Sequence, residues 1–311
     1  MTILFASCLS AQAQAQWVGS LQAALPNERF ITTRDAATDH LIDIAVVANP
    51  PAAALQDLPH LRFIQSLWAG VEALLNDATL PTEIPLARMV DTAMNTAMAE
   101  TALWAVLSLH RSCFECAAQQ LQRRWHSVAQ PRADEVSVAV LGLGQMGRAV
   151  ATRLVHNGYR VSAWSLHAAT QEGVQAQHGK TALEGVLRGA DIVVNLLPLT
   201  VATCGIFNAK TYAWMRPGSS LVNLARGAHV VDADLLTALN SGHLKRAVLD
   251  VFHTEPLPGD HPFWAHPQVT VLPHIAAQTD PRSAAQVVAR NVCALRSGSP
   301  IQHLVNRQAG Y

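Results

Sequence analysis

The run Val138-Ala139-Val140-Leu141-Gly142-Leu143-Gly144-Gln145-Met146-Gly147 constrains this chain more than any other stretch. An apolar strand leads into a turn with glycine at its first, third and sixth positions, and Arg148 to His156 continues as an amphipathic helix. A second apolar strand, Tyr159 to Trp164, follows at once. In that setting Gly142 permits the tight turn, Gly144 lets a pyrophosphate approach the backbone, and Gly147 lets helix and strand pack closely. The helix N-terminus then attracts the phosphates. The candidate dinucleotide contacts here are Gly142, Gly144, Gln145, Met146 and Gly147.

The end of the second strand sets the expected cofactor. An NAD-selective site places Asp or Glu there to bind the ribose hydroxyls. This chain reads Trp164-Ser165-Leu166-His167, with no carboxylate between Gly147 and Glu172. Repulsion against a 2′-phosphate is missing, and Ser165 and His167 can hydrogen-bond one. NADPH is therefore expected in preference to NADH.

With 311 residues, the chain has the length of two domains. Lys+Arg 22 balances Asp+Glu 22, so there is no basic field for nucleic acid and no acidic tail. No stretch approaches the ~20 uninterrupted apolar residues of a membrane span, and the opening residues lack the basic segment of a secretion signal. Five irregularly spaced cysteines point to reduced thiols and a cytoplasmic setting. Cys113 and Cys116 form a CxxC without a second pair, for which packing in a helix is expected rather than metal or redox chemistry. No HExxH is present, and no metal is expected.

Before the glycine turn, strands and helices alternate: Ile3 to Ala6, a helix from about Ala11 to Leu25, Ile42 to Val47, a helix before Leu58, and Leu61 to Ser66. Trp68-Ala69-Gly70-Val71 then offers small residues whose amides can meet an anion, or simply a tight turn that needs glycine. Met94 to about Trp125 reads as one long helix, either a connector packed on a partner subunit or an ordinary buried helix. Beyond Pro281 a last helix runs to Arg296 and crosses back to the first domain.

Four stretches downstream carry the chemistry. Asp191 to Asn195 is a buried strand stopped by Leu196-Leu197-Pro198, a loop at the carboxyl edge where doubly wound folds bind cofactors. Ser219 to Ala225 ends at Arg226-Gly227, with Asp232 as an expected N-cap of the next helix. An arginine there suits bidentate carboxylate recognition. Ala247 to Phe252 buries Asp250, which calls for a partner: the nicotinamide carboxamide or a structural hydrogen bond. Glu255-Pro256 follows, and Thr270 to Pro273 delivers His274 just past a strand end. Together Arg226, Glu255 and His274 read as hydride transfer to a small 2-keto acid: a cation for the carboxylate and keto oxygen, an imidazole to give the keto oxygen its proton, and a carboxylate to keep that imidazole charged and oriented. His253, His261, His266 and His303 are expected to be structural.

Asn223-Leu224-Ala225-Arg226-Gly227, Leu249-Asp250-Val251-Phe252, Glu255-Pro256-Leu257-Pro258 and Pro273-His274-Ile275-Ala276 resemble the signatures of the D-isomer-specific 2-hydroxyacid dehydrogenases. The resemblance covers nearly the whole chain. It implies an α/β fold of two Rossmann-like doubly wound parallel-sheet domains with a cleft between them: a flavodoxin-like substrate domain from 1–96 and 282–311, and an NAD(P)-binding domain from 97–281. It also implies Arg226, Glu255 and His274 as the catalytic set, Trp68, Ala69 and Gly70 as substrate contacts, a homodimer, and Leu197, Pro198, Ala225 and Asp250 beside the cofactor. Ala163-Trp164-Ser165 and the ending Val305 to Tyr311 resemble the members that reduce glyoxylate and hydroxypyruvate. One departure concerns the cofactor: NADPH-preferring members tend to carry basic residues just after the serine, where this chain has Leu166, His167 and Ala168. The alternatives are a dehydrogenase of D-lactate or phosphoglycerate, and a non-enzymatic dinucleotide sensor. The sensor would not need all three catalytic side chains.

Overall fold

The computed structural model describes residues 2–310. The chain divides into two compact units, one formed up to Met94 and again from Thr279, the other from Asn95 to Gln278.

The first unit holds a parallel five-stranded sheet, β1 (Thr2–Ser7), β2 (Arg29–Ile31), β3 (Ile42–Ala48), β4 (Phe63–Ser66) and β5 (Leu86–Ala87), in the order β2-β1-β3-β4-β5. This is the flavodoxin-like order. Every residue of β3 and β4 is buried, as a parallel sheet covered on both faces requires. Helix α1 (Ala11–Ala24) begins at Ser10, whose side chain accepts the Ala13 amide. The short α2 (Glu72–Leu75) follows β4. The expected helix before Leu58 is absent. That segment is a series of turns in which Asn49, Ala53 and Asp57 take positive φ (48°, 61° and 57°), a conformation that interrupts helical hydrogen bonding each time.

In the second unit seven parallel strands take the order β12-β11-β10-β9-β6-β7-β8. They are β6 (Ser137–Leu141), β7 (Arg160–Ser165), β8 (Val174–His178), β9 (Ile192–Asn195), β10 (Ser219–Asn223), β11 (Leu244–Leu249) and β12 (Val269–Val271). Strand order reverses between β6 and β9, the switch point at which doubly wound sheets bind their ligands. Val138 and Val140 join the core on one face and Ala139 and Leu141 the core on the other, so both faces are covered. The two doubly wound sheets expected from the sequence are thus present.

The long helix expected over Met94 to Trp125 is two helices, α3 (Thr92–His110) and α4 (Cys113–Leu121), separated at Ser112, whose φ of 55° breaks the ladder. Beyond Leu121 the chain leaves the helix at Arg123, also at φ 55°, and Trp125 is almost fully exposed. Cys113 and Cys116 lie on α4 but are exposed, so the packing role expected for them is not realised. The remaining helices of this unit are α5 (Gln145–His156), α6 (Leu183–Arg188), α7 (Ala209–Trp214) and α8 (Asp232–Asn240). Asp232 is the first residue inside α8 rather than its cap. Its carboxylate is turned to the His261 Nε2, 3.4 Å away, so the helix start gains a negative charge instead of a side-chain cap.

The last helix, α9 (Pro281–Ser297), belongs to the first unit and packs on α1. Asp280 caps it through the Arg282 amide. Buried Asn291 donates to Gln65 Oε1 on β4 at 2.7 Å. At its far end the Arg296 guanidinium binds Glu28 (2.8 Å) and Asp43 together, and this bonding holds the Glu28 carboxyl below the usual glutamate range.

Candidate active site at the carboxyl edge of the second sheet

Because all seven strands run parallel, every loop that leaves a strand end emerges on one edge of the sheet. Residues 142–147 follow β6, 165–167 end and follow β7, 196–198 follow β9, 225–226 follow β10, 250–255 follow β11 and 272–274 follow β12. Every residue of this unit that the sequence marks for a function lies on that edge. Strands β10, β11 and β12 are neighbours, so Arg226, Glu255 and His274 leave three adjacent strand ends.

The glycine turn has the shape its chemistry needs. Gly142 has a φ of +98°, and a Cβ there would stand 2.7 Å from the Leu196 carbonyl oxygen across the switch point. A Cβ on Gly147 would fall 1.7 Å from the Gly142 carbonyl oxygen, so helix α5 could not start where it does. At Gly144, the N-cap of α5, a Cβ would meet no protein atom within 4 Å. That opening, beside the N-terminus of a helix twelve residues long, is a cradle of the kind that fits a pyrophosphate.

At the end of β7 the Ser165 hydroxyl donates to the His167 carbonyl at 2.7 Å and closes the following turn, leaving the His167 side chain exposed. Arg148, in the first turn of α5, donates to the Thr170 carbonyl and to Gln171 Oε1 (3.3 Å). A permanent cation thus reaches the loop after β7 from the helix and not from the loop itself, a placement that position along the chain does not reveal.

The loops of β11 and β12 interlock through Asp250 and Glu255. Asp250 is buried, and its two carboxylate oxygens accept the amides of Ile275 (2.8 Å) and Ala276 (3.0 Å), while its carbonyl accepts the His274 amide (2.9 Å). Asp250 therefore has its structural partner in the backbone of the β12 loop, and burial pushes its carboxyl up against the pull of those amides. These three bonds hold His274 at a φ of 54°, in the left-handed region that costs a side-chain-bearing residue of order 1 kcal/mol or more. Glu255 uses one oxygen to accept the Phe252 amide (2.9 Å) and the other to face His274 Nδ1 at 2.6 Å. A carboxylate only accepts, so Nδ1 carries the proton and Nε2 points elsewhere. With side chains 54% and 34% exposed, this pair adds about 0–1 kcal/mol to stability at most, so stability does not account for its geometry.

Arg226 is half-buried and donates through one Nη to the carbonyl of Ala225 at 2.7 Å. Gly227 beside it is in direct backbone contact with the β11 loop: a Cβ there would lie 1.9 Å from the Phe252 carbonyl carbon. His253, expected to be structural, meets the Val230 carbonyl at 2.6 Å, and His261 accepts the Phe263 amide at 3.3 Å.

In the first unit Trp68 follows the carboxyl end of β4. Its amide is bound by Ser66 Oγ (3.1 Å), and its ring meets Trp17 edge-on at 6.2 Å. The Trp68 indole N–H is buried and has no hydrogen-bond partner among the described residues.

Residues 103–276 match the family model of the D-isomer specific 2-hydroxyacid dehydrogenase NAD binding domain. The chain belongs to this family. A glyoxylate/hydroxypyruvate reductase A of Serratia proteamaculans is 39% identical over 301 residues, covering 95% of this chain and 96% of that protein. A D-isomer specific 2-hydroxyacid dehydrogenase from Xanthobacter autotrophicus Py2, solved with NADPH and MES, superposes with a TM-score of 0.94 at 37% identity, over 100% of this chain and 99% of that one. The NADPH-dependent glyoxylate/hydroxypyruvate reductase of Sinorhizobium meliloti, solved with NADP and sulfate, gives a TM-score of 0.91 at 33% identity over the same shares of the two chains. As a family member the chain is an NAD(P)-dependent oxidoreductase, and its glycine turn and site loops fall inside the matched segment.

Proposed function

We propose that the chain reduces glyoxylate or hydroxypyruvate with NADPH, and that Arg226, Glu255 and His274 carry the reaction. The observation that bears most weight is the His274–Glu255 pair on the same sheet edge as the glycine cradle. The nicotinamide, when bound, supplies the hydride. Gly142, Gly144, Gln145, Met146 and Gly147 would hold its pyrophosphate, with Leu197, Pro198, Ala225 and Asp250 beside the nicotinamide half. Arg226 would bind the carboxylate and keto oxygen of the substrate. His274 gives a proton from Nε2 to that oxygen, and Glu255, already on Nδ1, stabilises the imidazolium before the transfer. In the first unit, Trp68, Ala69 and Gly70 are the proposed substrate contacts, the unpartnered indole N–H offering a donor to a polar group.

NADPH is favoured by the relatives solved with it, by the missing carboxylate after β7 and by Arg148, with Ser165 and His167 as further contacts. Steady-state assays with glyoxylate should give a lower KM for NADPH than for NADH. Equal or reversed values would end the selectivity claim, and no turnover of glyoxylate or hydroxypyruvate with either would end the reading as a whole.

The partner is inferred to be a second copy of the chain. Trp104 and Leu107, three residues apart on α3, stand exposed at 42% and 37%, and large apolar groups exposed side by side are typical of a covered face. Sedimentation equilibrium should therefore report a dimer at micromolar concentration, and a monomer would contradict the homodimer. The five cysteines are free, which supports a reducing compartment such as the cytoplasm, and no described helix is long and apolar enough to cross a membrane.

A further inference from the structure

Beneath the Arg226 turn lies a buried polar network made of Asn195, Asn223 and His229, all three with no exposed surface. Asn195 and Asn223 are register partners at the carboxyl ends of β9 and β10. Asn195 Oδ1 accepts the Leu197 amide (3.3 Å), and its Nδ2 donates to Asn223 Oδ1 (2.9 Å) and to His229 Nδ1 (3.0 Å). Asn223 Oδ1 also accepts the Ala225 amide (3.2 Å), and its Nδ2 donates to the Arg226 carbonyl (2.9 Å). His229 closes the set with Nε2 at 3.3 Å from the Pro198 carbonyl.

These contacts allow one tautomer. An amide NH2 can only donate, so Nδ1 of His229 must be bare; a carbonyl can only accept, so Nε2 must carry the proton. The directions of the two asparagine amides are likewise set, because each oxygen receives a backbone N–H. Burying these groups costs about 1–3 kcal/mol for each one left unpaired, and an apolar trio of the same volume would serve the core as well. Outside the trio itself, these bonds run to two loops, 197–198 and 225–226.

We propose that neutral His229, in its Nε2–H form, is a positioning residue that fixes the Leu197–Pro198 loop to the Arg226 turn, so that the cofactor loop and the carboxylate-binding arginine are held as one body. The role of those loops rests on the function proposed above. The two ring nitrogens have different reach: Nδ1 acts through Asn195 on Leu197 and, by way of Asn223, on Arg226, whereas Nε2 alone acts on Pro198.

Two variants of the full chain separate the halves. His229→Leu removes both contacts, leaving one Asn195 N–H without its acceptor and the Pro198 carbonyl with Thr203 Oγ1 (2.7 Å) as its remaining donor, which should raise the glyoxylate KM and the NADPH Kd each by about tenfold while the circular dichroism stays native. His229→Asn puts an acceptor where Nδ1 was, and should return the glyoxylate KM to within about threefold of wild type while the NADPH Kd stays weakened. A bulk structural role would move both quantities together in both variants. In the wild type, long-range 1H–15N spectra of histidine-labelled protein, assigned by difference with His229→Asn, should show His229 with a bare Nδ1. The proposal is overturned if folded His229→Leu keeps wild-type KM and Kd, if His229→Asn is no better than His229→Leu toward glyoxylate, or if His229 carries its proton on Nδ1. Should His229→Leu not fold, the Asn variant and the spectrum still decide. A wild type that turns over no keto acid would remove the proposed function, whereas the NADPH Kd and the tautomer test this inference without turnover.

Discussion

His274→Ala should lower turnover in glyoxylate reduction by about 10²-fold or more while leaving the fold and NADPH affinity nearly as they were. The expectation rests on what the imidazole does and does not hold up. Its ring bonds Glu255 at a site half open to solvent, so its removal should change stability by about 1 kcal/mol or less. Its backbone is held by Asp250 through the main-chain atoms of residues 274–276, which alanine retains. What disappears is the Nε2 proton donor. Single-turnover rates and an equilibrium NADPH titration measure these effects; a variant with near-normal turnover would remove His274 from the proton transfer.

The strand ends that carry Arg226, Glu255 and His274 are legible in the sequence because each is an apolar run interrupted by a polar or charged residue, and a parallel sheet sends all such ends to one edge. The glycine turn is legible for the same reason, with its strand and helix flanking it. Ser112 is not: a serine at φ 55° carries no local mark, so α3 and α4 read as one periodic helix. The turns before Leu58 fail similarly, since Ala53 at φ 61° is an ordinary helix former held otherwise by its surroundings, its amide bound to Thr79 Oγ1 twenty-six positions away. Asn195 and Asn223 do leave a trace, each an asparagine closing an apolar strand. Their partner His229 lies six residues past one and thirty-four past the other, and only the sheet register joins them. Arg148 reaches its loop across a helix–strand crossing. Contacts made between elements, more than the elements themselves, are what the pattern of residues leaves open.

Gly227 is where such a contact has the largest consequence. Its hydrogen stands where a Cβ would lie 1.9 Å from the Phe252 carbonyl carbon, 2.2 Å from its oxygen and 2.4 Å from the His253 nitrogen. All three are backbone atoms, so no rotamer can relieve the collision. Gly227→Ala must therefore push the Arg226 turn and the Phe252 loop apart by about 1 Å or more, with an overpacking cost of about 3 kcal/mol, near the top of the usual range. The Phe252 amide holds Glu255, and Glu255 holds His274, so the displacement passes directly to the proton donor. A shift of that size between reacting groups is worth about 10²-fold in rate. Gly144→Ala supplies the contrast, because a Cβ there meets no protein atom within 4 Å and the space it would enter is the cradle for the pyrophosphate. Thermal melts and NADPH titrations should thus divide the two variants: Gly227→Ala with a lowered Tm and crippled turnover, Gly144→Ala with a wild-type Tm and weakened NADPH binding. If Gly144→Ala binds NADPH as tightly as the wild type, the dinucleotide does not lie across that helix N-terminus. If Gly227→Ala keeps its Tm and turnover, the two loops are not locked against each other.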